Sequence, residues 1–497
     1  MDNIQSLKLF IPEFVILATI VVAVLSDMIY SRKNSHRVGY WVFCGLVLSA
    51  FTLFLSDPEI ITTLFLNTIA LDPFARVFKF IFLFITAIII LISLRSDELT
   101  RVSKGEYFIL ISVMVLGMFL MASAIDLVMI YLSIEVVSIT SFILAGYLKT
   151  QVRSTEASLK YVIYGAFSSG IMLYGMSLLF GLTGTTKILE MRDVMAGLSG
   201  GTNLTLLISV IFILAGFGYK IAAVPFHFWT PDVYEGAPTP MTAFFSVAPK
   251  AAGFAMLIRV YNSIFSVGNA LNANVWQAID GLPWPQIIAL VSAITMTLGN
   301  LVAIQQSNIK RLLAYSSIAH AGYILMGIPV LSKQGIEAIV FYIVVYLFMQ
   351  LGAFFVAILI SNKYNTEEIE EYTGLGYKTP FLGLVMALFL FSLTGIPPTA
   401  GFIGKFYLFA ALIKAGPSFY WLVMLGVVNS VISLYYYMRI LRRMYFMGKP
   451  AKELYVPSYG TVVILLVLAI PTLVFGVYWV PIINWVHDSL IFFVANI

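Results

Sequence analysis

Over and over along this chain of 497 residues, a run of about twenty apolar residues, the length of helix that crosses a bilayer's hydrocarbon core, gives way to a short polar link. Hydrocarbon offers no water to a free amide or carbonyl, so such runs must satisfy their own backbones as helices. About fourteen of them can be marked by length and polar punctuation. They centre near Ile20, Leu46, Leu83, Val115, Ser138, Met172, Val210, Ser246, Ala293, Ala321, Val345, Phe389 (continuing past a break to Phe409), Val431 and Leu465. Composition agrees: 60% of residues are hydrophobic and 11% charged, with a mean hydropathy of +0.96, against roughly 25% charged in soluble domains. The expectation is an all-α integral membrane protein forming a single polytopic membrane domain over 1–497, for which soluble-domain length rules do not hold.

One cysteine, Cys44, excludes an intrachain disulfide and supplies no cysteine pattern for zinc or an iron–sulfur cluster, so no redox centre is expected in the chain. The formal charge of +5 is read as a topology signal in short links, and nucleic acid is not an expected partner. The first apolar run, from near Phe10, lacks a basic leader and a small-residue cleavage site, so it reads as a retained first span.

Lysine and arginine are unevenly shared between the two sides. The links after spans 1, 3, 5, 9, 11 and 13 hold Arg32, Lys33, Arg37, Arg95, Arg101, Lys104, Lys149, Arg153, Lys160, Lys310, Arg311, Lys363, Lys378, Arg439, Arg442, Arg443, Lys449 and Lys452. The opposite side holds mainly Lys8, Lys187, Arg192, Arg259, Lys333 and Lys414. Basic links face the cytoplasm as a rule, which puts both termini outside.

Two spans are interrupted alike. Span 7 breaks after Lys220 at Val224, Pro225 and Phe226, and span 12 breaks at Gly395-Ile396-Pro397-Pro398 before resuming toward Lys405. Proline removes a backbone donor and clashes with the preceding turn, so each break leaves free backbone groups at membrane depth that need protein or water beside them. Spans 7 and 12 have opposite orientations, as inverted repeats require. The expected layout is an N-terminal part over 1–105 with spans 1–3 and a first five-helix repeat, spans 4–8, over 106–262. A second, inverted repeat, spans 9–13, covers 284–447, and a C-terminal span lies within 458–497.

Charges inside the spans carry the chemistry. A cation at the centre of a spanning helix costs about 2.5 to 3.5 kcal/mol on insertion scales, so it is kept only with a partner or a water path. Lys220, in broken span 7, and Lys250, mid-way along span 8, are such cations, and Lys405 follows the second break. Glu135 reads as the one acid well inside a span. It is expected either to pair with Lys220 or to be satisfied by a serine such as Ser133 or Ser138. Lys405 has an alternative role as a cap on a broken helix end. Burial disfavours the charged form of a lysine and a nearby carboxylate restores it, which suits lysine to a proton relay. His227 and His320 are candidate shuttles, with a structural histidine bonded to a carbonyl as the alternative. Tyr315, Ser316, Ser317, Tyr323, Tyr342 and Tyr346 are candidates to line a wetted path.

Other signals fail. The stretch Ala400 to Phe406 lacks the first glycine of a phosphate loop and no Ser or Thr follows Lys405, so nucleotide binding is excluded there. Asp72, Arg76 and Lys79 enter span 3 together and read as an interfacial cluster. The acidic run Glu367 to Glu371 reads as a solvated loop or a docking face.

At these residues the chain resembles the antiporter-like subunits of respiratory complex I, the proton-pumping NADH:quinone oxidoreductase. The resemblance is carried by IPEFVILATIVVAVLSDM, YLSIEVVSITSFILAGY, AAVPFHFWTPDVYEGAPTPMTAFFSVAPKAAGFA, IKRLLAYSSIAHAGY and LTGIPPTAGFIGKFYLF, in order along nearly the whole chain. It implies proton conduction through Glu135, Lys220, Lys250 and Lys405, the positions matching the family's buried charges. It implies no cofactor in this chain, with FMN, iron–sulfur clusters and quinone held by partner subunits. The implied partners are a neighbouring antiporter-like subunit, small membrane subunits, the peripheral redox arm and lipid. The implied location is a bacterial inner membrane, with the termini periplasmic. The competing reading is a subunit of a multi-subunit cation/proton antiporter; a scaffold with a dead channel is the third.

Overall fold

Every expected span centre falls within a helix of the computed structural model, which describes residues 3–31, 34–57, 60–102, 104–197, 204–269, 272–364, 366–448 and 456–490. Spans 1–6 are Ile11–Ile29, Arg37–Leu55, Pro73–Ser93, Gly105–Ser123, Leu127–Ala145 and Val152–Thr183. Span 7, Leu204–Ile221, resumes as Trp229–Gly236; spans 8–11 are Thr239–Ile264, Trp284–Ala303, Ile309–Leu325 and Lys333–Tyr364. Span 12 runs over Pro380–Thr394 and Ala400–Ala415, followed by spans 13 and 14 at Tyr420–Phe446 and Tyr459–Val477. Among the described residues 13 helices are long and apolar enough to cross a membrane. The two halves of span 12, each too short alone, stand together where the twelfth crossing is expected. Of the topology residues, Arg32, Lys33, Lys449 and Lys452 lie outside the described residues, as do both chain ends, Met1 and Ile497.

Several starts are fixed by side-chain caps that satisfy otherwise orphaned amides. Asp72 accepts from the amide of Ala75 at 2.7 Å ahead of Pro73. Asp126 accepts from Val128 at 2.9 Å, and Asn308 from Lys310 at 2.8 Å. Two short antiparallel hairpins lie in links between spans: Thr62–Leu64 pairs with Ile69–Leu71, Thr62 opposite Leu71. Ser266–Asn269 pairs with Asn272–Ala278, Ser266 opposite Ala278.

Span 8 is the core. Every residue from Thr239 to Ile264 is buried, and it packs against spans 3, 4, 7 and 11. Spans 10 and 11 are almost as enclosed, while spans 1, 2, 6 and 13 present most of their surface outward. Exposed apolar side chains such as Leu25, Phe54, Phe167 and Val431 are what a lipid-facing surface requires.

The charges entering span 3 do not form the expected interfacial cluster. Asp72 makes a doubly bonded ion pair with Arg259 of span 8, at 2.8 and 3.1 Å, both side chains 0% exposed. Arg259 also donates to the carbonyl of Ala122 at 3.0 Å. Lys79 pairs with Glu13 of span 1 at 2.5 Å, each 3% exposed. Glu135 is therefore not the sole acid within a span. Glu13 lies in the first helical turn, where a charge reads as interfacial until its neighbours are known.

Candidate functional site

The first break leaves Lys220 in the last turn of the leading half of span 7, where a cation meets the partly negative end of a helix. The chain then takes a left-handed turn at Ala222, with φ of 62°. The freed carbonyl of Tyr219 accepts from the Ala222 amide at 3.1 Å and from the Trp229 indole at 3.1 Å. The Val224 amide donates to the Thr295 hydroxyl of span 9 at 3.0 Å. Protein, not lipid, thus satisfies the interrupted backbone.

Lys220 is buried and donates to the Ser138 hydroxyl at 3.1 Å. Glu135, one turn earlier on the same helix, accepts a hydrogen bond from Ser169 of span 6. The acid and the lysine are brought to one seam, with serines as their immediate partners and no ion pair between them. Lys220 also packs beside span 8: a side chain at Gly253 would meet the Ile221 methyl at 2.9 Å and the Lys220 stem at 3.4 Å.

Lys250 lies one turn from Gly253. Its ammonium donates to the Ser317 hydroxyl and to the Ser317 carbonyl at 3.2 Å, and stands 5.8 Å from the ring centroid of Tyr234. The Tyr234 and Ser317 hydroxyls are 3.4 Å apart. A cavity of about 10 Å³ borders Lys250, Ser317 and Tyr346, about the space one water needs.

Ser317, His320 and Tyr323 follow at successive turns of span 10. His320 is buried, with Nδ1 2.7 Å from the Tyr342 hydroxyl and Nε2 3.2 Å from that of Tyr437. Tyr437 in turn lies 2.5 Å from the Ser316 hydroxyl, and the Tyr346 ring is 5.1 Å from the imidazole. Hydroxyls on both sides match the donor and acceptor of a neutral imidazole and can exchange roles when a proton arrives.

Lys405 closes the line at the second break. Its ammonium donates to the Thr394 carbonyl at 2.8 Å, the last residue before Gly395, and to Ser430 at 3.2 Å. It therefore caps the broken helix end, as the alternative reading has it. Gly395 adopts φ of +89°, and a side chain there would press on the Lys405 stem at 3.0 Å. The ammonium sits 4.4 Å from the ring centroid of Tyr323. The Tyr323 hydroxyl is tied to Asn300 at 3.3 Å and Ser430 at 3.4 Å. Asn300 continues to Asn429 at 3.1 Å and Tyr436 at 2.9 Å.

Ser316, Ser317, Tyr323, Tyr342 and Tyr346 thus gather around the relay candidates. Tyr315 faces Arg311 instead. His227, in the first break, is buried with its ring 4.5 Å from that of Phe228. Its Nδ1 has no hydrogen-bond partner among the described residues, and it joins none of the three lysines. Ser169, Asn300, Asn429, Ser430 and Tyr437 are additions that sequence reasoning missed, since neutral polar residues in spans carry no charge signal.

At the basic-link end, the trailing half of span 7 is held by ion pairs. Asp232 and Glu235 each lie 2.8 Å from Arg311, and Asp232 is 2.6 Å from Lys160. Polar cavities of about 500 and 190 Å³ open beside Glu235 and Gly236. Among the described residues no group of His, Cys, Asp and Glu is placed to hold a metal ion.

The profile of a family described as NADH:quinone oxidoreductase/Mrp antiporter, TM, matches residues 124–433. NADH-quinone oxidoreductase subunit N of Anaeromyxobacter sp. (strain Fw109-5) is 43% identical, covering 98% of this chain and 97% of its own length. NADH-quinone oxidoreductase subunit N 2 of Chloroherpeton thalassium (strain ATCC 35110 / GB-78) is 46% identical, covering 97% and 94%. A chain of respiratory complex I from Thermus thermophilus superposes with a TM-score of 0.77 at 28% identity, over 96% of this chain and 100% of that one. With the family profile spanning most of its helices and these relatives matching it almost end to end, the chain belongs to the NADH:quinone oxidoreductase/Mrp antiporter family of membrane subunits, among its subunit N members.

Proposed function

We propose that this chain, as the N-type membrane subunit of an NADH:quinone oxidoreductase, translocates protons through Glu135, Lys220, Lys250 and Lys405, with His320 between the last two. The observation that carries this reading is the single polar seam along span 10. Ser317 holds Lys250, His320 follows one turn on, and Tyr323 faces Lys405 after another. A proton leaving Lys250 has hydroxyls and an imidazole to travel by, and Lys405 receives it at a helix end. Lys220 reaches the same seam from the other side, beside Gly253, and Glu135 biases its charge across Ser138. His227 is the weaker shuttle candidate; its free Nδ1 supports it.

The redox chemistry belongs to other subunits. FMN, iron–sulfur clusters and quinone are placed there, since the chain's lone Cys44 cannot ligate a cluster. A neighbouring antiporter-like subunit and small membrane subunits would lie against the outward faces of the bundle, with lipid elsewhere and the peripheral redox arm in the same complex. The division into 1–105, 106–262, 284–447 and 458–497 is supported by the two broken spans, each with a lysine beside the break. The Lys/Arg asymmetry supports basic links on the cytoplasmic side of a bacterial inner membrane and periplasmic termini. A cation/proton antiporter subunit shares the family profile, but the near full-length relatives carry subunit N names.

The test is NADH-driven proton uptake into sealed vesicles, normalised to assembled complex, for Lys250→Ala, His320→Ala and Lys405→Ala. Loss of uptake with assembly preserved supports the relay, and unchanged uptake in all three overturns it.

A further inference from the structure

The one substantial cavity at the ends of spans 1–3 lies away from the relay. It measures about 250 Å³ and is walled by Leu9, Ile11, Leu53, Leu55, Leu71 and neighbours, with Lys8, Asp57, Asp72, Arg76 and Lys79 as its charged lining. Two of these charges are already answered: Lys79 by Glu13 at 2.5 Å and Asp72 by Arg259 at 2.8 Å. Lys8 and Arg76 remain as cations, with Asp57 as the opposing carboxylate. Arg76 gives one N–H to the Phe54 carbonyl at 3.1 Å, leaving further donors on a guanidinium whose fork matches phosphate oxygens.

The position fixes the depth. Span 1 begins here, span 2 ends here and span 3 begins here, so the cavity lies at one membrane–water boundary, where headgroups are. Ile11 and Leu55, on its wall, are 49% and 65% exposed, which gives an acyl chain an apolar surface leading away from the charged rim. An inorganic anion would not need that wall. An anionic headgroup would leave Asp57 opposed to it.

We infer that this cavity seats an aminophospholipid, its phosphodiester on Arg76 and Lys8 and its primary ammonium on Asp57. Phosphatidylethanolamine supplies both charges at the required adjacency. Phosphatidylcholine keeps the positive charge but has no N–H to donate to a carboxylate, and phosphatidylglycerol has no cation.

The experiment is native mass spectrometry of the full chain in detergent, titrated separately with the three lipids. One phosphatidylethanolamine should bind roughly tenfold more tightly than either of the others, the scale of one charge-assisted hydrogen bond. Asp57→Asn should erase the preference over phosphatidylcholine without weakening phosphatidylcholine itself. Arg76→Gln should weaken all three by about five- to tenfold, the contribution of one interfacial cation. Arg76→Lys, which keeps the charge, should hold phosphatidylethanolamine to within about threefold and so shows that any loss is not misfolding. Equal affinity for the three lipids, an unaltered pattern in both variants, or full displacement by soluble phosphoethanolamine at matched concentration overturns the assignment.

Discussion

Lys405 holds its ammonium 4.4 Å from the ring centroid of Tyr323, and among the described residues it forms no ion pair. The π face of Tyr323, with the Thr394 carbonyl, stands where a carboxylate would be expected. Such a contact contributes about 0.5 to 2 kcal/mol, most when desolvated.

Tyr323→Phe keeps the ring and loses the hydroxyl contacts to Asn300 and Ser430; Tyr323→Leu loses both. Proton uptake per assembled complex should stay within about threefold of wild type in the first and fall about tenfold or more in the second. Equal values for the two variants would remove the ring from the account.

Lys250→Arg and Lys250→Ala should both abolish uptake while the complex still assembles. Arginine preserves the charge on Ser317 but does not deprotonate in proteins, so a carrier cannot be replaced by it. Near-normal uptake with arginine would leave Lys250 as a fixed charge.

Glu135, Ser138 and Lys220 should behave as one coupled unit. Glu135→Ala and Lys220→Ala are each expected to impair pumping, with the double change costing less than their sum, because residues in one polar network show interaction energies of about 0.5 to 3 kcal/mol. Ser138→Ala should shrink that coupling. Strict additivity in all three pairs is the contrary result.

How much of this was legible beforehand depends on charge. The spans could be read because hydrocarbon demands about twenty apolar residues at a time, and both breaks because proline and glycine punctuate them. Lys220, Lys250 and Lys405 stood out since a cation in an apolar run is costly. Ser169, Asn300, Asn429 and Tyr437 did not, because a serine, asparagine or tyrosine costs little in a span and their pairings join helices far apart in sequence. Glu13 and Lys79 were hidden by position: each lies near a span end, where a charge is ordinarily wetted.

Stability should respond most at the pair joining spans 3 and 8. Asp72→Asn strips the carboxylate from Arg259 in a dry site, and breaking a buried pair costs about 3 to 5 kcal/mol. Thermal unfolding of the detergent-solubilised chain should shift down sharply. Asp72→Asn/Arg259→Met, which also removes the stranded charge, should recover part of the loss; no recovery would point to the side-chain shapes instead.

Topology can be checked with fused reporters. One placed after Ile497 should score as periplasmic, and one inserted in the link 146–151 as cytoplasmic. The reverse pattern inverts the orientation drawn from Lys and Arg.

Span 8 has no lipid-facing side. Every residue from Thr239 to Ile264 is enclosed by protein, and the helix carries Pro249, Lys250 and Arg259. Alone in a bilayer it would expose two cations to hydrocarbon, each costing about 2.5 to 3.5 kcal/mol near the helix centre. During synthesis it is therefore a poor candidate for independent release from the insertion machinery. It needs the earlier spans already gathered, with Asp72 waiting for Arg259, so that biogenesis of the chain has an obligatory order: the outer helices enter first and the proton-carrying one is received into a prepared slot.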